Sequence, residues 1–139
     1  MTARLRDRRS GKVKKQVLIV DDEQSIRTLL DKAFTKDGYD VVLASSAEEA
    51  LDLLDDHPIQ VMFLDLKLPG MNGIELCRRI KKDNPIACIF AMTGYSSLFD
   101  LADCRDAGFD DYFLKPLDIA VFLKTARESF EKIARWKKK

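Results

Sequence analysis

Several things are scarce in this 139-residue chain, and each scarcity removes a class of protein. The three cysteines, Cys77, Cys88 and Cys104, show no CxxC or Cys/His spacing, and each falls in an otherwise apolar pattern. That argues against a disulfide framework or zinc site, and for reduced packing residues in a cytoplasmic protein. Histidine occurs once, as His57 in Asp-Asp-His-Pro, and is expected on the surface at a helix end. No apolar run approaches the roughly 20 residues that a membrane-spanning helix needs. The basic amino terminus has no apolar stretch before the first predicted strand, so it lacks the form of a secretory signal. There is no internal repeat, and no low-complexity segment beyond the tails.

What is present is a globular composition, 46% hydrophobic and 34% charged, in a chain of one domain's length that can bury a substantial core. The net charge of +1 conceals an asymmetry. Residues 1–15 hold seven basic and one acidic side chain, residues 124–139 seven and two, and the intervening body has ten more acids than bases. The division expected is a basic, disordered arm over 1–15, a folded domain over 16–133 and a basic tail over 134–139. The tails are expected to be solvated termini, without nucleic-acid binding.

Apolar periodicity then sets the elements. Gln16 to Val20, Asp40 to Ala44, Ile59 to Leu64, Ile86 to Met92 and Asp111 to Leu114 read as strands. Between and after them, Ser25 to Asp37, a short helix opened by Ser46-Ala47-Glu48-Glu49, Gly73 to Asp83, Ser96 to Ala107 and a segment from near Asp118 carry helical spacing. The third helix is expected to present a basic, solvated outer face through Arg78, Arg79, Lys81 and Lys82. Five strand–helix alternations predict an α/β fold, a doubly wound five-stranded parallel sheet with five helices, in the flavodoxin-like order 2-1-3-4-5.

Polar residues stand where such strands end: Asp21 and Asp22 after the first, Asp65 after the third, Thr93 after the fourth, Lys115 after the fifth. Carboxyl ends of parallel strands open on one edge, and in this order the first and third strands are neighbours at the switch point. The three carboxylates therefore meet, and they repel one another unless a cation is present. Hard oxygen ligands with room for water and a phosphate oxygen suit Mg²⁺ (or Mn²⁺). A cation, an ammonium and a hydroxyl around one carboxylate match phosphoryl transfer to Asp65 as nucleophile.

The segments Ile19-Val20-Asp21-Asp22-Glu23, Leu64-Asp65, Leu68-Pro69-Gly70-Met71-Asn72-Gly73, Met92-Thr93-Gly94 and Lys115-Pro116, in this order and spacing, resemble the receiver domain of two-component response regulators. The resemblance covers about Val17 to Ile133. It implies Asp65 as phosphoacceptor, Asp22 as direct Mg²⁺ ligand with Asp21 acting through water, and the Lys67 backbone carbonyl on the metal. It further implies Thr93 as switch hydroxyl, Lys115 on the phosphate, a cis Lys115-Pro116 peptide and Tyr112 as rotating aromatic switch. Lys67 and Tyr95 occupy the positions that flank the path of hydrolytic water, so a long-lived aspartyl phosphate is expected. The implied partners are a histidine kinase or histidine phosphotransfer protein, and a downstream protein or second copy on the face of the fourth helix, fifth strand and fifth helix. His57 lacks the helical setting of a phosphodonor histidine.

Two other functions compete. A phosphatase of the haloacid dehalogenase type also uses a strand-end Asp with Mg²⁺, but it needs an acid two residues later, where this chain has Lys67, and a cap insertion for which there is no room. A binding module of the same fold that is not phosphorylated would usually have lost an acid or Lys115, and neither is lost. The chain is therefore expected to be a phosphoacceptor signalling module and not an enzyme. After Ile133 too few residues follow for an output domain, so signalling through protein contact is expected unless the chain is a fragment.

Overall fold

Strands β1 (Gln16–Val20), β2 (Asp40–Ala44), β3 (Val61–Asp65), β4 (Cys88–Thr93) and β5 (Asp111–Leu114) form one parallel sheet in the order β2-β1-β3-β4-β5. The computed structural model describes residues 15–94 and 98–137. The disordered arm expected over 1–15 therefore falls outside the described residues save for Lys15, as do Tyr95 and Lys138-Lys139. Helices α1 (Gln24–Lys36), α2 (Ala47–Asp56), α3 (Gly73–Asp83), α4 (Leu98–Ala107) and α5 (Ile119–Lys137) alternate with the strands.

Successive strand side chains point to opposite faces, so a strand covered on both sides must be apolar throughout. β1 and β3 show it. Leu18, Val20, Met62 and Leu64 pack with Ala47 and Ala50 of α2 and Leu76, Cys77 and Ile80 of α3. Val17, Ile19, Val61 and Phe63 face the other way, onto Leu30 and Phe34 of α1 and Phe122, Ala126 and Ile133 of α5. The α1/α5 side is aromatic: the Phe63 ring lies 4.8 Å from Phe122, 5.2 Å from Phe90 and 5.5 Å from Phe34, centroid to centroid.

The departures from the sequence reading have local causes. β4 starts at Cys88, not Ile86, because Asn84-Pro85 opens a turn in which Ala87 N–H donates to Asn84 O. β3 includes Asp65, placing the carboxylate on the last residue of the strand. α5 runs through Lys137, so residues 134–137 continue the helix. His57 is not on the surface: it is 8% exposed, and its Nδ1 donates to Leu53 O at 2.8 Å, turning the ring onto the carbonyl end of α2. Lys81 leaves the solvated face of α3 to donate to Ala87 O at 2.7 Å and pair with Asp110 at 3.4 Å. The cysteines are free and buried, and burial pushes the Cys77 thiol up to about 12, which suits packing and not reactivity. No described helix is long and apolar enough to cross a membrane.

Candidate functional site

Three loops converge at the carboxyl edge of β1, β3 and β5. β1 is followed directly by Asp21, fully buried, whose Oδ1 accepts from Glu23 N–H at 2.9 Å and whose carbonyl accepts from Arg27 at 2.8 Å. That arginine, one turn into α1, fixes the strand end from outside. Asp22 is exposed, and β3 presents Asp65, 5% exposed, close to both. Carboxylate oxygens of Asp21, Asp22 and Asp65 all lie within 4.8 Å of one another.

The loop after β3 must fold back at once to leave this carboxylate accessible. Lys67 N–H donates to Asp65 Oδ1 at 3.2 Å, and Gly73 N–H returns to Leu66 O at 3.1 Å. A Cβ on Gly73 would run into the Asp65 carbonyl oxygen, so only glycine permits the approach. Asn72 then caps α3 by accepting from Glu75 N–H at 2.9 Å. From α2, Glu48 accepts from Met71 N–H at 3.1 Å and braces the same loop.

β5 delivers the positive charge. Lys115 follows its last residue, its N–H donating to Thr93 O at 2.8 Å, and the Lys115-Pro116 peptide is cis. Its ammonium stands 3.0 Å from Asp21 Oδ2, 3.2 Å from Glu23 Oε1 and 3.5 Å from Asp65 Oδ2. Thr93 ends β4, buried, beside this group. Tyr112 is half-buried on β5, paired in register with Ala91, and packs against the Leu66, Ala91 and Cys104 cluster beneath α4.

The electrostatics are those of a crowded anionic site. Burial, then the neighbouring Asp21 charge, raises Asp65 from 3.8 to about 6, against the opposing pull of Lys115 and the Lys67 N–H. Burial would lower the Lys115 ammonium, yet contact with Asp21 and the charges of Asp65 and Asp21 outweigh it and hold its pKa above the ordinary value. One lysine therefore answers several carboxylates. Asp21 Oδ2 is buried without an aligned hydrogen-bond donor among the described residues, although Lys115 pairs with it by charge. A buried carboxylate oxygen that one lysine shares with two other carboxylates, in a set of hard oxygen donors, fits a small divalent cation such as Mg²⁺.

Of the residues the sequence expected together, Asp21, Asp22, Asp65 and Lys115 meet, Thr93 adjoins them through its carbonyl and Lys67 through its N–H, while the residues that hold the site were missed. Glu23 on Lys115, Arg27 on the β1 carbonyl, Glu48 on the β3–α3 loop and the close approach at Gly73 escaped it. A basic residue one turn into the helix after an acidic strand end was a readable signal for Arg27; the reach of Glu48 across 23 residues left none.

Comparison with known proteins agrees with this geometry. The family model described as response regulator receiver domain matches residues 17–127. Sporulation initiation phosphotransferase F of Bacillus subtilis is 36% identical over 104 residues, 75% of this chain and 84% of that protein. The alkaline phosphatase synthesis transcriptional regulatory protein PhoP of the same organism is 38% identical over 102 residues, but those are only 42% of its length. Several further curated relatives are likewise spanned over about half their length. Among solved structures, a CheY-like receiver domain protein from Methanospirillum hungatei superimposes with a TM-score of 0.84 at 30% identity, covering 88% of this chain and 98% of that one.

Proposed function

The chain belongs to the response regulator receiver domain family, and on that premise we propose that Asp65 is its phosphoacceptor, with Asp21 and Asp22 holding Mg²⁺ or Mn²⁺, Lys115 and Thr93 contacting the phosphoryl oxygens, and Tyr112 reporting the change. Membership makes the chain a phosphoacceptor signalling module, served by a histidine kinase or phosphotransfer protein, and not a true enzyme. The observation that carries the assignment is that Asp65, buried and held near pKa 6, stands within reach of both the acidic pair and Lys115.

A carboxylate oxygen of Asp65 attacks phosphorus, the bond from phosphorus to the donor's histidine nitrogen or acyl oxygen breaks, and the donor leaves with that electron pair. Asp21, Asp22, Asp65 and the Lys67 carbonyl are the ligands proposed for the cation, which supplies neutralising charge where carboxylates and phosphoryl oxygens crowd together. Lys115 turns from Asp21 and Asp65 onto the arriving phosphoryl group, and the Thr93 hydroxyl gains an acceptor. Inward movement of Thr93 leaves room for the Tyr112 ring, so the surface of α4, β5 and α5 repacks. Exposed Leu114 (51%) and Val121 (39%) on that surface support it as the contact face for a downstream protein or second copy. Lys67, and Tyr95 beyond the described residues, are proposed to lie over the phosphoryl group and slow its hydrolysis.

Acetyl phosphate with Mg²⁺ is expected to label the wild-type protein, and chelator or Asp65→Asn to abolish the label. Full labelling of Asp65→Asn would refute the assignment. Decay after donor removal, faster in Lys67→Asn than in wild type, reads the shielding in the same preparation.

A further inference from the structure

Lys115 answers one carboxylate more than the proposed reaction needs. Its ammonium, with protons on three N–H bonds to give, stands 3.0 Å from Asp21, 3.5 Å from Asp65 and 3.2 Å from Glu23. Asp21 and Asp65 belong to the set proposed for the cation and the nucleophile. Glu23 belongs to neither, and it reaches Lys115 from 92 residues away in the chain.

The local structure shows how it gets there. Glu23 stands immediately before α1, at the position where a short polar side chain commonly accepts from a free N–H of the first turn. Its backbone is fully engaged, the N–H donating to Asp21 Oδ1 and the carbonyl accepting from Ile26 and Arg27. The side chain caps nothing. A glutamate is too long to fold back easily onto its own helix, and this one crosses the mouth of the site instead, where Lys115 is its partner among the described residues. The three carboxylates also differ in freedom. The side chains of Asp21 and Asp65 are 0% and 7% exposed, fixed at the strand ends, whereas that of Glu23 is 60% exposed. When Lys115 turns onto an arriving phosphoryl group, Asp21 and Asp65 cannot follow the ammonium. Glu23 can.

We propose that Glu23 is a positioning residue that acts through Lys115 as a brake: it ties the ammonium at the mouth of the site before the phosphoryl group arrives and competes with the phosphoryl oxygens for it afterwards. The inference rests on the reading of Asp65 as phosphoacceptor and adds to it a residue that tunes the reaction without taking part in it. Each contact that Lys115 gives to Glu23 is one withheld from the phosphoryl group, so the tie holds down both the rate of phosphorylation and the grip on the phosphorylated state. Its strength is limited, because an ion pair with one partner in solvent is weak. Glu23 therefore scales the response and does not block it.

The test compares the full chain as wild type, Glu23→Gln and Glu23→Asp, all at saturating Mg²⁺. Aspartate keeps the charge but is one methylene shorter and is drawn to the free amides of α1, so it gives up the contact with Lys115. Initial rates of labelling by acetyl phosphate are expected to rise roughly three- to fivefold in both variants, the scale of an exposed ion pair. Affinity for beryllofluoride, which occupies the place of the phosphoryl group without any transfer, is followed by amide NMR shifts and is expected to rise by a similar factor. Equal rates and affinities in wild type and Glu23→Gln overturn the proposal. So does a Glu23→Asp variant that matches wild type, since charge at the mouth of the site, and not the tie to Lys115, would then be acting. Asp65→Asn labelled alongside keeps the two levels apart. Full labelling of that variant brings down the phosphoacceptor reading itself, whereas its loss together with unchanged rates in the Glu23 variants brings down only the role of Glu23.

Discussion

Asp65 is the residue at which stability and function pull in opposite directions. Its carboxyl titrates near 6 in the folded protein against 3.8 ordinarily, so the folded state holds this proton more tightly than the unfolded chain does. Below about 3.8 both states are protonated and the difference vanishes; as pH rises towards 6 stability falls, and above 6 the full penalty stands, on the order of 2–3 kcal/mol for two units. Asp65→Asn removes it. In chelator, urea unfolding of Asp65→Asn is expected to show a gain of about 1–3 kcal/mol over wild type at pH 7.5 that shrinks towards pH 4; an equal gain at both values would show that ionisation of Asp65 is not its source. Magnesium should stabilise wild type more than the variant, because the cation relieves the repulsion that the amide lacks. At this scale the charged groups that converge, Asp21, Asp22, Asp65 and Lys115, were legible because a carboxylate or ammonium at the end of an apolar run has no other easy explanation. Arg27 and Glu48 were not, since ordinary surface positions carry the same residue types and only the closed loops show what they reach. His57 was misread for the same reason: a histidine after a helix reads as solvent-facing until its carbonyl partner is seen.

At the scale of elements, α4 is the helix on which the proposed switch would act. Its sequence, LFDLADCRDA, has no continuous apolar stripe, which made it the least legible helix. Its described anchors are Cys104 and Ala107, with Cys77 of α3 donating through Sγ to Ala107 O at 3.5 Å. Gly108, at φ 109°, stops it with a return hydrogen bond to Cys104 O. Tyr112 packs against the cluster of Leu66, Ala91 and Cys104, which joins the residue after Asp65 to α4. A ligand moves such an equilibrium only through its differential contacts with the two states. Thr93→Ala removes the hydroxyl contact proposed for the phosphorylated state. Labelling of Thr93→Ala is expected within a few-fold of wild type, while the phosphorylation-induced change at Tyr112, followed by ring NMR signals, is lost. An undiminished change would move the switch elsewhere.

The molecule as a whole is two cores separated by one sheet, and this was the most legible feature because it is written in composition: strands apolar at every position can only lie between two layers of helices. Strand order was taken from the flavodoxin-like pattern of doubly wound sheets, which puts the switch point between β1 and β3, and the sheet has that order. What no periodicity revealed was that the two cores differ in kind. The α2/α3 side is built from aliphatic and small residues, whereas the α1/α5 side is joined through Phe63, in ring contact with Phe34, Phe90, Phe113 and Phe122. These four partners come from α1, β4, β5 and α5, so one side chain ties both covering helices of that face to the sheet. The site lies at the ends of the strands, with Asp65 two residues along from Phe63 at the last position of β3, and the chemistry proposed for it does not use the ring. Phe63→Ala is therefore expected to destabilise the fold by about 3–5 kcal/mol, as buried Phe→Ala changes do, with the urea dependence of unfolding unchanged. Asp65 in the fraction that remains folded is expected to label normally. A loss below about 1 kcal/mol, less than the ring contacts and cavity together should contribute, would mean that the aromatic layer collapses around the gap and that the face is held by α1 and α5 independently.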